Sequence, residues 1–270
     1  MLAAVPAADA APRARIPYQP FGTAIYRREM RASLGEGVAV GEIIDDFHHF
    51  RATLHHDGTR ITGIRGEAVR YPWTTCPGAD QPLRRLVGLR LESSLRAPGR
   101  HTPQRAQCTH LFDAACLAAA RVARGVGSVV YAISVPDRVD GRTRVATSRD
   151  GSPVFTWDVV EAEIAGPDPF TGRSIGSGFA QWAEAALDPD TAEAALLTQR
   201  ACVIAGGRTM DLEGVPRAAL VQPNPMGKCH TYQPDTVEKG DRVVGSIRNL
   251  THETDILAAS LASAREAVAD

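Results

Sequence analysis

An α+β fold follows from two observations. Apolar and polar residues alternate with a period of two through much of residues 22–71, and residues 104–124 carry their apolar side chains at helical spacing. A second block, residues 126–270, repeats the theme with strand patterns first and helical patterns after. The prediction is an antiparallel meander with helices packed on it, followed by a second α+β half. The boundaries read as a disordered leader over residues 1–21, a first domain over 22–125 and a second region over 126–270 packed on the first.

Taken in order, Ala24-Ile25-Tyr26 opens a charged, alternating strand that ends at the turn Gly35-Glu36-Gly37. Val38 to Ile44 is the next strand, and Phe50, Ala52 and Leu54 alternate with Arg51, Thr53 and His55 along a third. Asp57-Gly58 supplies a tight turn, because glycine tolerates the positive φ such turns need. Ile61, Ile64 and Ala68-Val69 continue the meander, and Pro77-Gly78 stops it. Asp80 to Val87 reads as a short helix. Gln104 to Arg124 reads as the strongest one, with Cys108, Leu111, Phe112, Ala115, Ala119 and Val122 along its apolar face. Val129 to Ile133 is a buried strand, and Arg142–Thr147 and Val154–Ile164 are further strands. Gly176 to Leu187 and Pro189 to Ile204 are helical, the second opened by Asp188 as N-cap with proline behind it. Met226 to Asn249 reads as loop and short strand, and Thr251 to Val268 as a closing helix.

Composition excludes more than it selects. Apolar residues make up 44% and charged ones 23%, with a net charge of −1, so no basic surface favours nucleic acid. No apolar run is long enough to cross a bilayer, and the Ala/Pro-rich opening lacks the basic and apolar regions of a signal peptide. The five cysteines, Cys76, Cys108, Cys116, Cys202 and Cys229, are odd in number and irregular in spacing. Reduced thiols or metal ligands in a cytoplasmic protein fit them better than a disulfide framework. No nucleophile elbow, phosphate-binding loop or dinucleotide fingerprint occurs, and Gly176-Ser177-Gly178 lacks the strand–loop–helix setting of a phosphate cradle.

Asp45-Asp46-Phe47-His48-His49, the alternating strand after it, Thr75-Cys76-Pro77-Gly78-Ala79 and Gln107-Cys108-Thr109-His110-Leu111 follow one another in an order that resembles the NifU/IscU-like iron–sulfur scaffold. That resemblance implies that Cys76 and Cys108 match two of the family's three ligand cysteines, with Asp46 and His48 standing where the first would be. Cys76-Pro77-Gly78-Ala79, Cys108-Thr109-His110-Leu111 and Cys229-His230-Thr231-Tyr232-Gln233-Pro234 together resemble a bacterial family known only as a domain of unknown function (family 2889). The second resemblance implies catabolic chemistry on small organic molecules.

Asp46, His48, Cys76 and Cys108 are O, N, S and S donors, a set that suits a divalent zinc or iron ion if the scaffold-like fold brings them together. A helix N-terminus and a metal would both lower the Cys108 pKa. His110, two residues on, cannot share the Cys108 helix face and is expected to reach the cavity from the rim, as a base behind the ligands or as an alternative ligand. Strand alternation sends His48 and His49 to opposite faces, and His48 is the better inward candidate. Cys229 and Tyr232 sit in a Pro/Gly-rich loop that could cap the cavity, whereas Cys116, Cys202, Trp157, Phe179 and Trp182 read as core. The expected function is a metal-dependent enzyme acting on a small organic molecule, a lyase before a hydrolase, with His110, His48, Cys229 and Tyr232 as catalytic residues. The alternatives are a metal or iron–sulfur carrier and a non-catalytic binding protein. A small-molecule substrate is the expected partner, a homodimer is allowed, and neither nucleic acid nor membrane is expected.

Overall fold

The computed structural model describes residues 24–223, 225–253 and 256. The leader over residues 1–21 and nearly all of the closing helix expected from Thr251 lie outside them. The first four strands are β1 (Ile25–Gly35), β2 (Val38–Asp45), β3 (His49–His56) and β4 (Ile61–Arg70), an antiparallel meander as the alternation predicts. The later strands are β5 (Val129–Pro136), β6 (Arg142–Arg149), β7 (Ser152–Val160), β8 (Glu163–Gly166) and β9 (Arg173–Ser174). All nine form one antiparallel sheet in the order β4-β3-β2-β1-β5-β6-β7-β8-β9. The β1–β5 pair, with Met30 opposite Tyr131, joins the two meanders edge to edge. The fold is α+β.

Because side chains alternate across a sheet, the register fixes which residues share a face. Met30, Ile43 and Phe50 line up across β1, β2 and β3 on one face, and all are fully buried. The opposite face carries a ladder of charge, Arg31 opposite Glu42, Glu42 opposite Arg51 and Arg51 opposite Glu67, with ion pairs along it.

The described residues contain four helices, α1 (Asp80–Leu83) and α2 (Thr109–Arg124) between β4 and β5, and α3 (Phe179–Ala186) and α4 (Pro189–Ala205) after β9. Helix α2 crosses the apolar face of β1–β3 and buries Leu111, Phe112, Ala115 and Ala119 there. It lies so close that a Cβ on Gly41 would collide with the Ala114 carbonyl. Gly125 ends α2 in a left-handed conformation, φ 63°, its amide satisfying the last carbonyls. Helix α2 starts five residues later than its pattern suggested, because residues 104–106 form a separate 3₁₀ turn and Cys108 is extended. Asp188 caps α4 as expected, its carboxylate accepting from the Asp190 and Thr191 amides. The stretch from Met226 holds 3₁₀ turns and isolated bridges such as Trp73–Arg242, with no named strand among the described residues.

Candidate functional site

The β2–β3 connection is the foundation of the site. Asp45 ends β2, and its Oδ1 accepts from the Phe47 amide at 2.9 Å and the His48 amide at 2.8 Å, which closes the turn. Arg70, at the end of β4, grips the same turn from outside, its guanidinium donating to the carbonyls of Asp45, Asp46 and His48. His48 is thereby held with its Nδ1 3.0 Å from Asp45 Oδ1, while Tyr26 OH donates to Asp45 Oδ2 at 2.8 Å.

The first turn of α2 supplies the opposing wall. His110 stacks on His48 with ring centroids 3.6 Å apart and an interplanar angle of 24°, and its Nε2 lies 3.5 Å from Asp45 Oδ2. Burial would raise the Asp45 carboxyl, but His48 and His110 outweigh it and hold this group well below the usual carboxylate range. Asp45 is therefore an ionised acceptor, and the His48 Nδ1 that faces it carries the proton. His110 is pushed down to about 3 by burial, and further by His48 and Arg28, against the pull of Asp45. Burial therefore favours its neutral form.

A cavity of about 530 Å³ opens beside these groups. The loop after Pro225 closes over it. The His230 amide donates to the Gln107 carbonyl at 2.9 Å, Thr231 Oγ1 meets Thr75 Oγ1 at 2.9 Å, and Trp73 Nε1 donates to Tyr232 OH at 3.0 Å. The loop so bridges the turn at Cys76 and the residues leading into α2, and brings Cys229 to a wall already carrying Cys76 and Cys108. His230 packs on Gly78, where a Cβ would stand 3.1 Å from its Nε2.

The structure thus gathers most of the residues that the sequence singled out. His48, His110, Cys76, Cys108, Cys229 and Tyr232 all line one cavity. Cys108 and His110 do so together because Cys108 precedes the first helical turn, so the helical offset between them does not apply.

Asp46 is not among them. Its carboxylate forms an ion pair with Arg208, and neither residue lines the cavity. Burial pushes its pKa up to about 6, with Arg208 pulling the other way. The acidic group at the histidines is Asp45. Among the described residues, the donor atoms that come within 4.8 Å of one another are those of Asp45, His48 and His110, not those of Asp46, His48, Cys76 and Cys108.

The thiols also differ from expectation. Burial pushes Cys76 up to about 12 and Cys108 well above the usual thiol value, and the amides of His110 and Leu111 at the helix start offset only part of this. Burial raises Cys229 as well. Desolvation outweighs the helix terminus, so these are neutral thiols rather than thiolates. All five cysteines are free.

Sequence reasoning missed Asp45, Arg70 and Arg242. A signal for Asp45 was present: counted by twos from Ala39 and Ile43, alternation puts Asp45 on the apolar face of β2, the face that helix α2 covers. Arg70 and Arg242 carry no comparable local signal.

A family model described as a protein of unknown function (DUF2889) matches residues 26–124. The match covers just over a third of the chain, from β1 to the end of α2, and takes in Asp45, His48, Cys76, Cys108 and His110. It leaves Cys229, Tyr232 and Arg242 outside. No curated protein matches the chain. Among the described residues no helix is long and apolar enough to cross a membrane.

Proposed function

We propose that the chain is an enzyme in which His48, oriented by Asp45, moves a proton on a small organic molecule held in the cavity. The observation that carries this reading is the His48 Nδ1–Asp45 Oδ1 hydrogen bond of 3.0 Å on a ring that also lines the cavity. An ionised carboxylate on one ring nitrogen fixes the tautomer and leaves Nε2 with the lone pair, the arrangement a general base needs. His110, neutral and stacked against the ring, supplies an aromatic wall and keeps water from that face.

The reaction type that fits is proton abstraction followed by loss of a leaving group, a lyase reaction. It asks only for a base and a binding cavity, whereas hydrolysis through a covalent intermediate asks for an activated nucleophile. The cavity thiols, neutral through burial, are poorly suited to that role.

The test uses a panel of small organic acids with an acidic C–H, incubated with the protein in D₂O and followed by NMR. Exchange or product formation by the wild type, reduced about 100-fold or more in His48→Gln, is expected, in line with the usual worth of a positioned base. An unchanged rate in His48→Gln would remove the reading.

A second reading, a zinc or iron ion at the histidines, is favoured by the proximity of the Asp45, His48 and His110 donor atoms. Against it, Asp45 already accepts from two amides, an imidazole and a phenol. One equivalent of zinc or iron in purified protein, lost in His48→Gln and in His110→Gln, would favour the metal. An iron–sulfur carrier, the role implied by the scaffold resemblance, would need accessible thiolates, and Cys76 and Cys108 are only 8% and 7% exposed.

A further inference from the structure

Among the described residues, Arg200, Lys228 and Arg242 border the cavity, and they are not equivalent. Arg200 Nε donates to Asp113 Oδ2 at 3.0 Å, so its charge is already matched. Lys228 is exposed. Arg242 is 9% exposed and makes no ion pair among the described residues.

Its guanidinium lies 3.6 Å from the centroid of the Trp73 ring. Nε donates to the Val215 carbonyl at 3.2 Å and Nη1 to the Pro72 carbonyl at 3.3 Å, which fixes the plane of the group. Nη2 is buried and has no hydrogen-bond partner among the described residues. Tyr232 stands beside it on the same wall, edge-on to Trp73. Tyr232 OH accepts from Trp73 Nε1, so its own hydrogen is free to donate, and no acceptor for it occurs among the described residues.

We propose that Arg242 and Tyr232 form a carboxylate-binding subsite, and that the substrate is an organic acid with a flat, apolar body. The inference builds on the reading of His48 as the base. Glu213 and Asp211 act on this guanidinium only from beyond ion-pair distance, so a buried charge without an ion pair and buried N–H groups without acceptors still cost free energy, and one monoanionic carboxylate relieves both. The charge selects the anion. One guanidinium without an ion pair carries a single positive charge, which one monoanionic carboxylate matches while the Tyr232 hydroxyl donates to its second oxygen, whereas a phosphate dianion asks for more than one cation. Much of the remaining lining is apolar or aromatic, with Phe47, Phe50, Val221, Leu212 and Met210 among the walls, which suits a ring or an unsaturated chain. The carboxylate end then lies at Trp73–Arg242–Tyr232, and the His48 ring lines the same space for the reacting end.

Isothermal titration at pH 7 with benzoate and trans-cinnamate, each against its neutral amide, tests the subsite without knowledge of the true substrate. The wild type is expected to prefer each acid over its amide by at least tenfold. Arg242→Met should abolish the preference, and Tyr232→Phe should reduce affinity for the acids several-fold while sparing the amides. Should Arg242→Met fail to fold, the acid–amide comparison on the wild type and on Tyr232→Phe still decides the matter. His48→Gln should keep the preference, so failure of the base and failure of the subsite give different results. Equal binding of acids and amides by the wild type, no binding of either acid, or a preference that survives in Arg242→Met would each overturn the proposal.

Discussion

Replacing Asp45 tests the electrostatic centre of the site most directly. The carboxylate accepts four hydrogen bonds, two of them fully buried, from Tyr26 OH and the Phe47 amide, and two partly buried, from the His48 amide and His48 Nδ1. In Asp45→Ala, water entering from the cavity can reach the two His48 donors but not the other pair. Two buried donors left without acceptors cost about 1–3 kcal/mol each, so the loss should be about 4 kcal/mol, close to that for breaking a buried charge pair. Asp45→Asn keeps an oxygen for the two amides and His48, and only the contact to Tyr26 must turn round, for a loss of about 1–2 kcal/mol.

Urea denaturation at pH 7 measures both, with the change read from the midpoint at constant slope. The pH dependence adds a signature. The folded carboxyl is held below its unfolded value, so its stabilisation is complete above the unfolded pKa and fades as pH falls through the folded one. The wild type should therefore lose stability in acid below about pH 4, near the reference value for aspartate, and Asp45→Asn should lose less. A cost under about 1 kcal/mol for Asp45→Ala, or equal costs for Asn and Ala, would refute the assignment of these four bonds.

Asp46 should show the opposite sign: its folded pKa is raised to about 6, so its contribution is fully present below the unfolded pKa and is lost as pH rises toward 6. In Asp46→Asn the stability difference between pH 4 and pH 6.5 should accordingly shift in favour of the higher pH, as read by thermal melting across that range. Gly41→Ala should cost more than about 3 kcal/mol or prevent folding, because the new methyl meets the Ala114 backbone and helix α2 cannot yield without leaving the sheet. Thermal melting and soluble yield report it. Native protein treated with iodoacetamide at pH 7.5 should be alkylated slowly, with Cys229 first, since Cys76, Cys108, Cys116 and Cys202 are buried and burial raises their pKa values. Peptide mass spectrometry identifies the order, and rapid labelling of Cys108 would contradict the burial argument.

Much of the fold was legible because each strand and helix announces itself locally. The alternation of Phe50, Ala52 and Leu54 and the helical spacing of Leu111, Phe112, Ala115 and Ala119 are consequences of burying one face, and burial is what the structure shows. The cap at Asp188 was visible for the same reason, since its chemistry involves only the next three residues. The split of His48 from His49 also held. His48 stacks on His110 beneath α2, while His49 Nε2 sits 2.7 Å from Glu42 on the charged face. Choosing Asp46 over Asp45 erred because the resemblance was matched by residue type, while the face of the strand settles which carboxylate meets the histidines.

The sequence by itself determined the strands, the main helices, the apolar faces and the short list of His, Cys and Tyr side chains that deserved testing. Periodicity and capping are local, and a local property can be read in the order of residues. Only the tertiary structure decided that β1 pairs with β5, that Arg70 grips the turn at Asp45, and that Arg242 faces a cavity shared with residues nearly 200 positions away. It also decided that the thiols are neutral. Those outcomes depend on desolvation and on the distances between segments remote in the chain, and both quantities come into being only when the chain has packed.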